Sequence, residues 1–150
     1  MVSKTIAIIQ ARTTSIRLPG KVMYKINGTP LIEILHKRLK KSKKLDNIVI
    51  ATTQKSTKLI NFLKKKKIEY FVGSETNVLN RYYKAALKYK ADNIVRITAD
   101  GVLADGNLID EFIKKYENKN VDYLSNTEPV SYPDGLDIEI FNFKSLKFAN

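Results

Sequence analysis

Short apolar runs alternate with longer amphipathic stretches along almost the whole chain, and this rhythm leaves few folds open. Residues 4–10, 47–52, 68–72 and 93–98 read as strands, with Ile and Val in near-continuous blocks such as Ile6, Ala7, Ile8 and Ile9. Residues 30–42, 56–66, 77–90 and 107–118 lie between or after them, and in these the apolar positions recur at helical spacing. Leu31, Leu35 and Leu39 share one face of the first, and Val78, Tyr82, Ala85 and Tyr89 share one face of the third. Ser56 stands where it can cap the second. Residues 121–125 and 136–141 are further strands, and 143–150 begin another helix. Strands alternating with helices of this length predict parallel pairing and right-handed crossovers. The expected class is α/β, a mainly parallel sheet with helices on both faces, in one domain over residues 1–150.

No run reaches the roughly 18 apolar residues that span a bilayer, so membrane insertion is not expected. The first strand is expected almost at the N-terminus, and no signal peptide is expected ahead of it. The absence of Cys removes disulfides and Cys-based metal sites. A cytoplasmic protein is expected. The formal charge is +12, and much of it lies at 40–44 and 64–67, where predicted helices end. Lys there complements the helix dipole and wets the surface, so these runs read as solvated helix ends rather than as a nucleic-acid patch.

Only five of the 27 basic residues are Arg: Arg12, Arg17, Arg38, Arg81 and Arg96. Arg grips phosphate with a planar fork, and two of the five lie in the loop 11–21. In an open parallel sheet, ligands bind beyond the carboxyl ends of the strands. The segments there are 11–21, 53–55, 73–77, 99–106 and 126–135. The first supplies Arg12, Ser15, Arg17 and Lys21, and its Pro19-Gly20 turn could aim backbone N–H groups at an anion. A phosphate site or a merely basic surface loop both fit. Asp100, directly after a strand and opposite this loop, is placed to hold a magnesium ion bridging phosphates. Asp105 fits the same role or the cap of the next helix. Asp137 and Glu139 alternate with apolar residues on one strand face, which suits a hydroxyl-rich ligand, a metal or plain solvent. The sole histidine, His36, is expected as a partly exposed helix residue, and with no Cys a nucleophile–histidine mechanism has little basis.

Ile8 to Arg12 together with Arg17-Leu18-Pro19-Gly20-Lys21 resembles the signature loop of the sugar cytidylyltransferases, which include the CMP-sialate and CMP-3-deoxy-manno-octulosonate synthetases. The spore-coat polysaccharide branch is the most similar. The likeness continues in order through Asn27-Gly28-Thr29-Pro30-Leu31, Ile50-Ala51-Thr52-Thr53, Gly73-Ser74-Glu75, Val78-Leu79-Asn80-Arg81-Tyr82-Tyr83, Arg96-Ile97-Thr98-Ala99-Asp100, Ser125-Asn126-Thr127 and Tyr132-Pro133-Asp134-Gly135-Leu136-Asp137.

The resemblance implies a three-layer Rossmann-like nucleotide-diphospho-sugar transferase fold and the transfer of CMP from CTP to a sugar or sugar acid, with pyrophosphate released. It implies that Arg12 and Lys21 hold the triphosphate, with Ser15 and Arg17 near the same phosphates. It places Ala11, Ala51, Thr52 and Arg81 around the nucleotide, and Asp100 on magnesium. Tyr132, Asp134 and Asp137 would face the sugar. It also implies a homodimer, with much of the contact, and a second magnesium Asp, beyond residue 150. The chain departs from the branch at Asn77, Asn80, Ala99, Gly101, Val102 and Gly106. An active transferase, a catalytically weakened nucleotide-binding relative and a basic nucleic-acid-binding module are the readings that stay open, in that order.

Overall fold

In the computed structural model, which describes residues 3–15 and 18–150, every side chain from Thr5 to Ile9 is buried. Successive side chains of a strand point to opposite faces, so β1 (Thr5–Gln10) is covered on both sides and must be central. A small hairpin follows, β2 (Lys25–Ile26) and β3 (Thr29–Pro30), and leads into α1 (Leu31–Leu39). Then come β4 (Asn47–Thr53), α2 (Thr57–Lys66), β5 (Tyr70–Gly73), α3 (Val78–Tyr89), β6 (Asn93–Thr98), α4 (Gly106–Lys119), β7 (Tyr123–Ser125), β8 (Glu139–Asn142) and α5 (Phe143–Ala149).

The main sheet has the order β5-β4-β1-β6-β8-β7. β1 pairs in parallel with β4 and β6, and β4 with β5, while β8 is antiparallel to both of its neighbours. Five strands therefore share one direction and β8 alone opposes them. The sheet is mainly parallel, as expected, and β8 is its one exception. A parallel return needs a crossover, usually a helix, and residues 126–138 carry none, so the chain doubles back between β6 and β7.

Two apolar layers hold the sheet. Leu35 and Leu39 of α1, Leu59 and Leu63 of α2, and Ile109 and Phe112 of α4 pack on the face carrying Ala7, Ile9 and Ile50. Tyr82, Ala85 and Ala86 of α3 and Leu146 of α5 cover the face carrying Ile6, Ile8 and Val49. The layering is the Rossmann-like one, helices on both faces. No helix among the described residues is long and apolar enough to cross a membrane.

Helix ends follow local chemistry. Asn77 accepts from the Asn80 N–H, and Asp105 accepts from the Asn107 and Leu108 N–H groups, so each caps its helix. Ser56 departs from expectation: it precedes α2, but its hydroxyl makes no cap and instead accepts the Thr13 N–H at 3.0 Å. The two Lys runs fall at the ends of α1 and α2, as their sequence implies.

At the sheet's outer margin β5 has one neighbour. The Tyr89 hydroxyl reaches the Tyr70 carbonyl oxygen at 3.0 Å and the Glu69 carboxylate at 2.9 Å, and the Lys88 ammonium lies 6.0 Å above the Phe71 ring. Lys64, Lys67 and Lys88 border a hollow of about 590 Å³ along this strand.

Glu33, only 7% exposed, is held between the Lys37 ammonium at 2.9 Å and the Lys66 ammonium at 3.1 Å. Their hydrogen bonds keep its carboxyl below the ordinary glutamate value of 4.5. A lowered folded pKa gives stability that is complete above the unfolded value and is lost as pH falls through the folded one. Glu33→Gln should therefore cost about 1 kcal/mol at pH 7, since both Lys partners are largely exposed. The difference in urea midpoint should shrink as pH falls below the ordinary glutamate value and through the lowered folded one. A difference that does not change with pH would show that packing, not charge, is responsible.

Candidate nucleotide site at the carboxyl edge of the sheet

The first loop leaves β1 at Ala11, which is buried and donates its N–H to the Ala51 carbonyl oxygen at 3.0 Å. This ties the loop's base to β4. Thr13 is fastened to Ser56, and Thr14 donates its hydroxyl proton to Glu75 Oε1 at 2.7 Å. The loop closes through Gly20, whose φ of 71° lies in the left-handed region that glycine tolerates. Here the structure corrects the expectation for the Pro19-Gly20 turn. The Gly20 N–H donates to the Thr13 carbonyl and the Lys21 N–H to the Leu18 carbonyl, so these groups close the loop rather than face an anion. Ser15 is half-buried, and Arg17 lies outside the described residues.

What the loop presents is side-chain charge. The Arg12 guanidinium is half-exposed and stands 3.9 Å from Glu75 Oε1. The Lys21 ammonium reaches across to Asp100, with Nζ 2.5 Å from Oδ2. Asp100 follows β6 directly, and its carboxyl lies below the ordinary aspartate value, chiefly through the Lys21 hydrogen bond and with help from Thr98. The carboxylate opposite the basic loop is thus in contact with it.

The segment bearing Asp100 is moored to α1. Arg38 donates to the Leu103 carbonyl at 2.7 Å and the Ala104 carbonyl at 3.2 Å, and lies 3.5 Å from Asp105. Asp105 resolves to the capping role. Ala99 is buried and its N–H donates to the Gln10 carbonyl; Gly101 donates to the Thr98 carbonyl. At Gly106 an added Cβ would sit 2.1 Å from the Ser42 nitrogen, so the close approach of α1's end explains why no side chain stands there.

Ala51 and Thr52 are fully buried in β4, backbone and side chain alike. Arg81 is 1% exposed; its guanidinium donates to the Ser74 carbonyl, and burial lowers its pKa. Gly73 makes room for it, because a Cβ there would come within 2.8 Å of Arg81 Cγ. Among the described residues, four buried polar atoms have no protein partner: Gln10 Oε1, Thr52 Oγ1, Glu75 Oε2 and Arg81 Nε. All four belong to the carboxyl ends of β1, β4 and β5 or the start of α3. Each such atom costs on the order of 1–3 kcal/mol, and concentrating them at one edge marks a functional region.

Tyr132, Asp134 and Asp137 all lie on the connection from β7 to β8. Tyr132 packs edge-on to Phe112, with centroids 5.7 Å apart; Asp134 is exposed and Asp137 half-buried. Buried Asn126 shapes this connection by donating to the Leu136 carbonyl and accepting the Ile138 N–H, both at 2.8 Å. β8 begins only at Glu139, so Asp137 and Glu139 do not share a strand face as expected. Glu139 is instead paired with Arg96 above the Tyr82 ring. Among the described residues no three His, Cys, Asp or Glu converge as a metal cage.

Sequence reasoning assigned no role to Glu75, Thr14 or Arg38. Arg38 carried a signal, as one of five Arg in a chain that otherwise uses Lys. Glu75 and Thr14 are 61 positions apart, and nothing local announced their contact.

A mainly parallel sheet layered by helices, with a cationic first loop meeting a carboxylate at the carboxyl edge, is the architecture of Rossmann-like nucleotidyltransferases. The sequence pattern of the family described as Cytidylyltransferase matches residues 6–149, and the chain belongs to that family. It is 43% identical over 148 residues to an uncharacterised protein of Methanocaldococcus jannaschii, covering 97% of this chain and 60% of that protein. It is 37% identical over 141 residues to the spore coat polysaccharide biosynthesis protein SpsF of Bacillus subtilis, covering 90% of this chain and 58% of the relative. The structure of a cytidylyltransferase from Leptospira borgpetersenii superposes with a TM-score of 0.91 at 34% identity, over 98% of this chain and 63% of that one. The chain thus spans about three fifths of the length of these relatives.

Proposed function

We propose that the chain binds CTP at the carboxyl edge of its sheet and transfers CMP to a sugar, releasing pyrophosphate. The observation that carries this reading is the Lys21–Asp100 contact, which joins the loop after β1 to the segment after β6. Family membership supports the nucleotide, and the polysaccharide role of the Bacillus relative supports a sugar acceptor.

The sugar hydroxyl oxygen attacks the α-phosphorus in line with the departing pyrophosphate. One P–O bond forms, the bond from the α-phosphorus to the bridging oxygen breaks with its electron pair leaving on pyrophosphate, and the hydroxyl proton passes to solvent water. Phosphoryl transfer of this kind is governed by positioning and by neutralisation of charge on the phosphate oxygens. Arg12 offers a fork of donors to the triphosphate and Lys21 a compact ammonium. Asp100 is half-exposed at this edge, which fits the way magnesium is usually held, by one or two carboxylates with the substrate's own phosphates. A magnesium ion bound there would supply further neutralisation of phosphate charge. Ala51, Thr52 and Arg81 form the buried floor beneath the nucleotide, and Ser15 stands beside the phosphates. Tyr132, Asp134 and Asp137 face a sugar, of which a sugar acid is the favoured class.

The test is pyrophosphate release from each of the four ribonucleoside triphosphates, with magnesium and a panel of sugar acids and hexoses, in wild type and Asp100→Ala. Release with CTP and one acceptor, reduced at least about a hundredfold in the variant, is the expected result. Absence of both turnover and CTP binding in wild type would reject the nucleotide reading.

A further inference from the structure

Given that Arg12 grips the triphosphate as proposed above, we propose that Glu75 is the positioning residue that keeps its guanidinium aimed while leaving the donors available. The Glu75 carboxylate stands at the end of β5, facing the first loop. Its Oε1 accepts the Thr14 hydroxyl at 2.7 Å, and the same oxygen lies 3.9 Å from Arg12 Nη1. That separation is within reach of ionic attraction and beyond a hydrogen bond. An Arg locked bidentate onto a carboxylate would present fewer donors to phosphate. Glu75 instead orients the side chain through charge and through its neighbour Thr14, two residues along the same loop.

The carboxylate is itself secured. Its Oε2 is buried, and the hydroxyls of Thr53 and Thr14, followed by the charges of Lys55 and Arg12, hold the carboxyl below the ordinary glutamate value. Arg81 is buried at the same edge and donates to a backbone carbonyl, so Arg12 is the guanidinium that Glu75 faces at ion-pair distance.

A double-mutant cycle tests this, using wild type, Arg12→Lys, Glu75→Gln and the double variant. The readouts are kcat and KM for CTP in pyrophosphate release, together with CTP affinity by calorimetry. Gln keeps the size of Glu and an acceptor for Thr14, so a purely structural role would survive the change. The expected result is a kcat lowered about tenfold in Glu75→Gln with CTP affinity within about threefold of wild type. The double variant should be no slower than Arg12→Lys alone, within about twofold. Additive losses, or a Glu75→Gln kcat equal to wild type, would overturn the assignment while leaving the nucleotide reading intact. Wild type that neither binds nor turns over CTP would overturn both. If Glu75→Gln does not fold, Glu75→Asp, which retains the charge on a shorter stem and draws it back from Arg12, takes its place in the cycle. A lowered kcat without additivity then supports the assignment, and additive losses or an unchanged kcat overturn it.

Discussion

Replacing Lys21 by alanine will lower pyrophosphate release from CTP by about a hundredfold to a thousandfold and barely change the protein's stability. The first half follows from position. Lys21 opens the short turn after the loop and is the group through which that loop meets Asp100. Removing one preorganised donor from developing charge in a transferase site costs on the order of 3–4 kcal/mol of barrier. The second half follows from exposure. The Lys21 and Asp100 side chains are 30% and 54% exposed, and an ion pair so open to water contributes less than about 1 kcal/mol. Rate and urea midpoint measured on one preparation check both halves. Turnover within tenfold of wild type would mean that the loop's cations do not hold the reacting phosphates. Lys21→Arg should restore only part of the rate, because a planar fork cannot occupy the place of a compact ammonium.

Gly106→Ala should be the most damaging of the glycine-to-alanine changes, lowering stability by about 3 kcal/mol or more. The new carbon would lie 2.1 Å from the Ser42 nitrogen and 2.5 Å from the Lys41 carbonyl carbon. Both are backbone atoms, so no rotamer change relieves the clash. The two segments are also fastened together close by. Ser42 Oγ donates to Asp110 Oδ1 at 2.5 Å, and Asp110 accepts the N–H groups of Lys43 and Lys44. Forcing α4 away from the end of α1 would break these bonds and shift the segment that carries Asp100. A loss of this size is a large fraction of the roughly 5–15 kcal/mol that stabilises a typical domain. Urea unfolding measures it, and a midpoint near that of wild type would show that the end of α1 yields easily.

The layered fold was legible because its signal is repeated: each buried strand is a block of Ile and Val, and each helix has one apolar stripe. Asp105 was legible as a candidate cap for a similar reason, since a cap acts within three residues, whereas the Asn77 cap was not singled out. Ser56 has the same chemistry and failed as a cap because Thr13, 43 positions away, offers its hydroxyl a different donor. The hairpin of β2 and β3 escaped notice although its turn is Asn27-Gly28, with both φ angles positive. Strands of two residues are too short to show an alternation. The reversal of β8 was hidden because a strand's direction depends on the connection before it rather than on its own residues. In the site, Arg12, Lys21 and Asp100 could be singled out by residue type and by following a strand. Glu75, Arg38 and Gly106 act through contacts between distant segments, and only the folded chain brings these together.

The outer margin of β5 bears on how this protein behaves in a crowd. A parallel sheet that stops at an uncovered strand offers its spare backbone groups to any neighbouring chain. Here the Tyr89 hydroxyl already occupies the Tyr70 carbonyl, and Lys88 lies across Phe71. Two copies approaching margin to margin would bring Lys64, Lys67 and Lys88 against the same three residues. These three lysines, part of the chain's lysine excess, thus act as a fender along the described margin of the sheet.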